Sequence, residues 1–183
     1  MGERFLLRIE LIPADPWGRN LRSHKVGLGP YRWLKMSRAI RTELGRCSVC
    51  GSKKKLHGHE VWKFTEKPRS GVATLIKVNT ICTICHSLQH WGRTSILIRA
   101  GVMSVADGQR LIRHFMKVNG CTKAAFKRHV DRADAVWRAR SKKKWKVDWG
   151  EFKPAVDEAE ASRKRWHDSR RGSREVPRAR RMG

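Results

Sequence analysis

Two cysteine pairs frame a histidine- and glutamate-containing segment in the middle of the chain. Cys47 and Cys50 are two residues apart, as are Cys82 and Cys85, and the segment LHGHEVW at 56–62 lies between the pairs. Paired CxxC motifs present four thiolates, which complete the tetrahedral shell of a zinc ion and leave no open position. The spacing therefore predicts a structural zinc site, and the alternative is four ordinary buried cysteines.

The histidines near these pairs form a second set of possible metal ligands. His57 and His59 are two residues apart, so on a strand they point to one face while Glu60 points to the other. His86 and His90 follow the second cysteine pair at i and i+4, on one face of a helix. Histidine nitrogens favour zinc, nickel or manganese over magnesium, which prefers oxygen.

The charge of the chain points to a polyanionic partner. Its 183 residues include 42 lysines and arginines against 16 acids, a formal net charge of +26. Such a charge increases the affinity of a protein for nucleic acid directly, because binding to phosphates releases counterions. An anionic membrane surface is the weaker alternative, and no stretch approaches the roughly 18–20 apolar residues of a membrane span. We expect nucleic acid, with DNA favoured, as the partner.

The first residues, MGERFLLRIELIPADPW, do not resemble a signal peptide. We therefore expect a reducing compartment, in which cysteine pairs bind metal rather than form disulfides. The expected location is cytoplasmic, either associated with the nucleoid or, for a phage-encoded protein, in the host cytoplasm.

The elements that must position these residues predict an α+β fold. A short strand is expected at 5–12 and a helix at 31–44, followed by Gly45 as its C-cap. Arg38 and Arg41 give that helix a basic side, which either is solvated or contacts phosphate. The middle of the chain predicts a hairpin of strands at 56–64 and 72–78, then a helix at 86–100 with a weak point at Gly92.

The C-terminal half predicts a helical hairpin and a charged tail. Ser104 and Thr122 are expected N-caps of helices at 104–118 and 122–140. Trp145, Val147 and Trp149 occupy alternate positions, which indicates an extended segment. Apolar residues make up only 39% of the chain, so part of it is expected to lie outside the core. The predicted units are an N-terminal strand, loop and basic helix (1–45), a zinc module (46–101), a helical hairpin with the tryptophan-rich segment (102–152) and a charged, flexible tail (153–183).

Residues 46–92 resemble a known nuclease module. In order they contain RCSVCG, LHGHEVW, VNTIC and CTICHSLQH, and this order is similar to that of the zinc-stapled HNH (ββα-metal) endonucleases of small bacterial and phage type. The resemblance implies a single catalytic divalent metal (Mg, Mn, Ni or Zn) bound by His59 and His86. That metal would hold the scissile phosphate and stabilise the leaving 3′ oxygen, and Asn79 would orient the loop or the base.

Glu60 stands where the family has a histidine as general base. A carboxylate has an ordinary pKa of about 4.3, which matches neutral pH poorly unless burial raises it. Three interpretations follow: Glu60 is a base with a raised pKa, Glu60 binds the metal while a neighbour such as His57 is the base, or the module is a weak or inactive nuclease kept for binding.

Several basic side chains around the motif are predicted to contact nucleic acid. They are Lys53, Lys54, Lys55, His90, Arg93, Arg38 and Arg41. The leading hypothesis is an HNH-type endonuclease or nickase that hydrolyses DNA phosphodiesters. The alternative is a non-catalytic, zinc-dependent nucleic-acid-binding protein in a larger nucleoprotein or phage assembly. A third, weaker hypothesis is an inhibitor or adaptor whose basic surface imitates a nucleic-acid-binding partner.

Overall fold

The structure is a computed structural model that describes residues 5–172. It contains a small β-sheet packed with helices, which confirms the predicted α+β class. The elements, in chain order, are α1 Pro30–Leu44, β1 Leu56–Glu66, β2 Ser70–Cys82, α2 Thr83–Gln89, α3 Trp91–Arg99, α4 Val105–Asn119, α5 Lys123–Ser141, β3 Lys144–Asp148, a 3₁₀ turn Gly150–Phe152 and α6 Lys153–Gly172.

The predicted hairpin is confirmed, and both of its strands are longer than expected. β1 and β2 pair antiparallel from Leu56 opposite Cys82 to Glu66 opposite Gly71, with a bulge between Val61 and Trp62. β3 pairs parallel with the start of β2, so that within the described residues the strand order is β1-β2-β3 and β1 has a free edge. The register places the end of the hairpin that carries Cys82, where β2 runs into α2, far from the turn.

The helices begin and end largely where the capping signals predicted. The Ser104 and Thr122 side chains accept hydrogen bonds from the backbone N–H groups of Asp107 and Ala125, and Gly45 ends α1 with φ 59°. The predicted helix at 86–100 is two helices, and the break lies at His90 rather than at Gly92. No helix in residues 5–172 is long and apolar enough to cross a membrane.

Two hydrophobic clusters hold the elements together. The first joins the N-terminal segment to α2, α4 and α5 through fully buried Leu7, Leu88 and Phe115. The second packs α1, the 20–28 loop and α6 against the sheet, with Leu21 and Leu75 at its centre. The first cluster therefore covers the end of the hairpin at Leu56 and Cys82, and the second covers its middle around Leu75 and Val78.

Two of the predicted elements are wrong. Residues 5–12 do not form a strand, although Phe5, Leu7 and Ile9 are buried alternately, because their backbone bonds to side chains of helices instead of to a neighbouring strand. Leu7 is held by the Asn119 amide at 3.0 and 2.9 Å. Residues 153–172, predicted to be part of a flexible tail, form α6, because Val156 and Ala159 provide an apolar stripe that packs on the second cluster. Residues 173–183 lie outside the described part of the chain.

Candidate metal centres and their cavity

The four cysteines of the CxxC pairs form one group. Their sulfur atoms all lie within 4.8 Å of one another, and the Sγ atoms of Cys50 and Cys82 are 3.6 Å apart. The first pair lies on a tight turn closed by backbone hydrogen bonds between Cys47 and both Gly51 and Ser52. The second pair spans the junction of β2 and α2. The group could therefore hold a metal ion such as zinc, as the spacing predicted.

The chemistry of the four sulfurs fits a bound cation. Burial, with the neighbouring sulfurs of Cys47 and Cys82, raises the pKa of the Cys85 thiol well above its ordinary value. Thiolates brought this close repel one another, and a divalent ion removes that cost by deprotonating and binding them. His114 of α4 places its Nε2 atom 3.3 Å from the Cys85 sulfur, within hydrogen-bond range of a thiolate.

Three histidines form a second group that could hold a metal ion. The ring nitrogens of His59 on β1, His86 on α2 and His90 at the α2–α3 break lie within 4.8 Å of one another. The ring centroids are 4.8 to 5.3 Å apart. His59 and His86 meet as the sequence predicted, because β2 leads straight into α2 and the hairpin folds β1 back beside it.

His90 was expected to contact nucleic acid, and its ring instead belongs to this histidine group. The i, i+4 spacing from His86 was the available signal, since it places both rings on one helical face. His90 itself is the single residue between the end of α2 at Gln89 and the start of α3 at Trp91, with φ −94° and ψ 41°. The group thus offers three possible metal ligands rather than the two inferred from the motif.

Burial, more than neighbouring charge, lowers the pKa of all three rings and favours their neutral form. Burial, then the nearby rings of His90 and His86, lowers the pKa of His59 to about 3. Burial, then His90, His57 and Arg93, lowers the pKa of His86 to about 4, and burial with Arg93 lowers that of His90. Neutral imidazoles have a free nitrogen lone pair, which is the form that binds metal.

The other residues of the motif lie beside the group. The His57 ring packs against His86 with centroids 5.3 Å apart, and its Nε2 is 2.9 Å from Thr83 Oγ1. Asn79 is paired with His59 in the β1–β2 register and is half-buried, so it shares the His59 face of the hairpin. Both residues are thus close to the histidine group without belonging to it.

Two hydrogen bonds within the protein hold the Glu60 carboxylate in place. One carboxylate oxygen accepts a hydrogen bond from the Leu21 N–H at 2.7 Å, and the other accepts one from Trp62 Nε1 at 3.0 Å. Burial raises the pKa of Glu60 to about 7, and these two hydrogen bonds oppose that rise. The carboxylate therefore ties the 20–28 loop to β1, on the strand face opposite His59.

A cavity of about 450 Å³ lies against β1 between Gly58 and Phe64, extends to Ala73 of β2 and Val147 of β3, and reaches the histidine group. The three histidines and Glu60 all line it. Its rim is basic and aromatic: Arg19, Arg22, Arg93, Trp17, Trp33 and Trp62 also contribute. Trp17 is 64% exposed, which leaves its ring available to a bound molecule.

Most other predicted contacts with nucleic acid lie away from this cavity. Lys53, Lys54 and Lys55 are exposed on the turn that follows the first cysteine pair, and Arg38 is exposed on α1. Arg41 is half-buried, and its Nη1 lies 3.5 Å from Ser37 Oγ. Of the predicted set, Arg93 and His90 line the cavity.

Comparison with known proteins identified no relative of this chain. No protein-family model, no curated protein and no solved structure matches the chain. The geometry alone therefore characterises the molecule as an α+β protein with one four-cysteine and one three-histidine group, each able to hold a metal ion.

Proposed function

We propose that this protein is an HNH-type endonuclease or nickase that hydrolyses DNA phosphodiesters, with zinc at the four cysteines and a second divalent metal at the three histidines. One observation carries the proposal: three neutral histidines converge on the wall of a cavity with an arginine-rich rim. Arginine is the side chain best suited to hold a phosphate, since its planar fork donates two parallel hydrogen bonds.

The two groups differ in the way that separates structural from catalytic metal sites. Four thiolates close a tetrahedral shell, whereas three protein ligands leave a position for water or substrate. The cysteine sulfurs are largely buried, whereas the histidines border a cavity that reaches solvent. A divalent ion at the histidines would supply Lewis acidity to a phosphodiester.

The side chains of this protein would bind and orient the substrate. Arg22 and Arg93 stand on the rim where they can hold phosphates on either side of the scissile bond, and Trp17 offers a flat surface to a base. Two groups are candidates to accept a proton from water. Glu60 lines the cavity, and the His57 ring packs on His86.

The second candidate is a non-catalytic, zinc-dependent nucleic-acid-binding protein of a larger nucleoprotein or phage assembly. The observation that favours it is the position of Glu60, both of whose oxygens already accept hydrogen bonds from the protein. In this alternative, Glu60 fixes a loop and the histidine group has only a structural role.

The test is nicking of supercoiled plasmid by zinc-loaded protein with added magnesium, manganese, nickel or zinc. His59→Ala, His86→Ala and His90→Ala each remove one ring, and Lys123→Ala on the exposed start of α5 is the matched control. We expect metal-dependent nicking that falls by about 100-fold or more in each histidine variant, because loss of a group that merely orients a metal ligand already costs about 10–100-fold, and these variants remove a ligand itself.

Two results would decide against the nuclease. Absence of nicking with every metal, together with DNA binding that survives in all three histidine variants, would favour the non-catalytic alternative. Nicking that is equal in the variants and in Lys123→Ala would place the activity outside the histidine group or in a contaminant.

A further inference from the structure

A second, larger cavity lies on the far side of the 20–28 loop from the histidines. It measures about 1540 Å³ and is bounded by the loop around Lys25, by β3 and by one side of α6. Pockets for small ligands span about 300–1,000 Å³, so this groove is larger than a site for one small molecule needs. A segment of a polymer fits it better.

The groove carries more positive than negative charge. Six lysines and arginines line it against three acidic residues. Each acid is engaged within the protein: Asp157 pairs with Lys153, Glu160 pairs with Lys164, and Asp148 accepts from the Gly150 N–H at 3.0 Å. Within the described residues the Lys25 and Lys146 side chains form no ion pair, so they are available to phosphates.

Aromatic rings accompany the charge. Trp149 and Trp166 both line the groove, and Trp166 is 53% exposed. The Arg170 guanidinium lies 4.4 Å from the centre of the Trp166 ring and holds one face of it. Exposed indoles beside lysines are the elements that bind unpaired bases and their backbone, because stacking needs base faces that a duplex hides.

The groove and the histidine cavity are neighbours that share two lining residues. Arg19 and Val147 border both of them. Arg19 is fixed at this junction by donating from Nη1 to the Trp145 carbonyl at 3.1 Å. A strand lying in the groove can thus continue past Arg19 to the histidine group.

We infer that the groove between β3, α6 and the 20–28 loop binds a single-stranded segment of nucleic acid and leads it to the histidine group. The path to the histidines rests on the proposed nuclease function, whereas binding in the groove does not. Lys25 and Lys146 contact phosphates, and Trp166 stacks on a base.

The test measures fluorescence anisotropy of labelled oligothymidine, oligouridine and a hairpin duplex with the full-length chain. The variants are Lys25→Glu/Lys146→Glu and Trp166→Ala. Lys117→Glu/Lys123→Glu makes the same charge change on exposed parts of α4 and α5, outside both cavities. Binding is measured in wild-type protein and again in His86→Ala protein, in which the histidine group is incomplete.

Wild-type protein should bind single strands more tightly than the duplex. Trp166→Ala should weaken single-strand binding by about 5-fold or more, the effect of one lost stacking contact. Lys25→Glu/Lys146→Glu should weaken it further and reduce the salt slope by about 0.7 for each lost phosphate contact, while the control double variant stays within about 2-fold of wild type. The oligothymidine and oligouridine arms show whether DNA or RNA is the preferred strand.

The outcomes separate this inference from the nuclease proposal. If His86→Ala protein binds single strands normally and the lysine variant does not, the groove is established even if no metal supports cleavage. The inference is overturned if the groove and control variants weaken binding equally, or if the duplex binds as tightly as the single strand. Normal melting temperatures of the variants exclude unfolding as the cause.

Discussion

Replacing Glu60 by glutamine separates a structural from a catalytic role for this residue. Glu60 accepts from Leu21 N–H and Trp62 Nε1–H, and glutamine retains only one oxygen. If that oxygen keeps the Leu21 bond, the new amide NH₂ faces the Trp62 N–H, so one donor is left unpaired. This costs about 1–3 kcal/mol of unfolding free energy, and each kcal/mol lowers Tm by about 2–4 °C in a chain of this size.

Trp62→Phe provides the background that makes the experiment decisive, because phenylalanine has no N–H to satisfy. In that background Glu60→Gln should lose about 1–2 kcal/mol less stability than in the wild type, measured as a double-mutant cycle by thermal and denaturant unfolding. The nicking rate gives the second reading. If Glu60 only positions the loop, Glu60→Gln should lower the rate by less than about 10-fold in the Trp62→Phe background.

A general base behaves differently, since its loss typically lowers the rate by about 10²–10⁴-fold whatever its hydrogen-bond partners are. A loss of about 100-fold that persists in the Trp62→Phe background would therefore refute a purely structural role for Glu60. An additive double-mutant cycle in the unfolding free energies would refute the hydrogen-bond reasoning itself.

Two further predictions concern the packing that supports the site. Asn119→Ala should lower the unfolding free energy by about 2–4 kcal/mol, because both backbone groups of Leu7 lose their partners. Asn119→Asp should not restore this stability, because its second oxygen cannot donate to the Leu7 carbonyl and repels it. A loss below about 1 kcal/mol in either variant by denaturant unfolding would contradict this. Gly71→Ala should lose about 1–3 kcal/mol of unfolding free energy, because the new methyl would overlap the buried Trp145 ring. The same substitution should cost less when it is made in a Trp145→Leu background, where the ring is absent. A Tm unchanged by Gly71→Ala would show that the ring moves freely.

Local signals in the sequence predicted the elements whose structure is locally determined. The hairpin followed from two β-rich runs around a turn, and the helix ends followed from Ser104, Thr122 and Gly45, whose caps involve residues within a few positions. The prediction of a strand at residues 5–12 failed, because the alternation of buried side chains does not reveal which groups the backbone forms hydrogen bonds with. Their partners, Asn119 and His129, are more than a hundred residues away.

The candidate site was predictable as far as the hairpin determines it. His59 and His86 are brought together by pairing between neighbouring strands, and the four cysteines by the CxxC spacing. The i, i+4 spacing of His86 and His90 was a local signal for the third ring, whereas the contacts of Glu60 depend on Leu21, which lies in a loop with no regular structure. The groove could not be predicted at all, since it requires α6 to pack beside β3, and the charged sequence of α6 suggested disorder.

The two candidate metal groups are joined at the β2–α2 junction, and this connection predicts an asymmetry between them. Cys82 ends β2, and Cys85 and His86 are adjacent on α2, so the cysteine group fixes the helix that carries His86. Cys85→Ser should therefore release metal from both groups, because α2 loses the anchor that positions its histidines. His86→Ala removes a ring that the sulfurs do not use, so it should empty only the histidine group.

The asymmetry can be measured as metal content by mass spectrometry after dialysis in buffered zinc, together with the reactivity of the thiols towards Ellman's reagent. We expect protected cysteines in wild-type and His86→Ala protein and reactive ones in Cys85→Ser protein. Retention of one metal ion with ordinary affinity in Cys85→Ser protein would show that the histidine group forms without the cysteine group. In that case the packing of α2 against α4, through Leu88 and Phe115, would be sufficient to position His86 and His90.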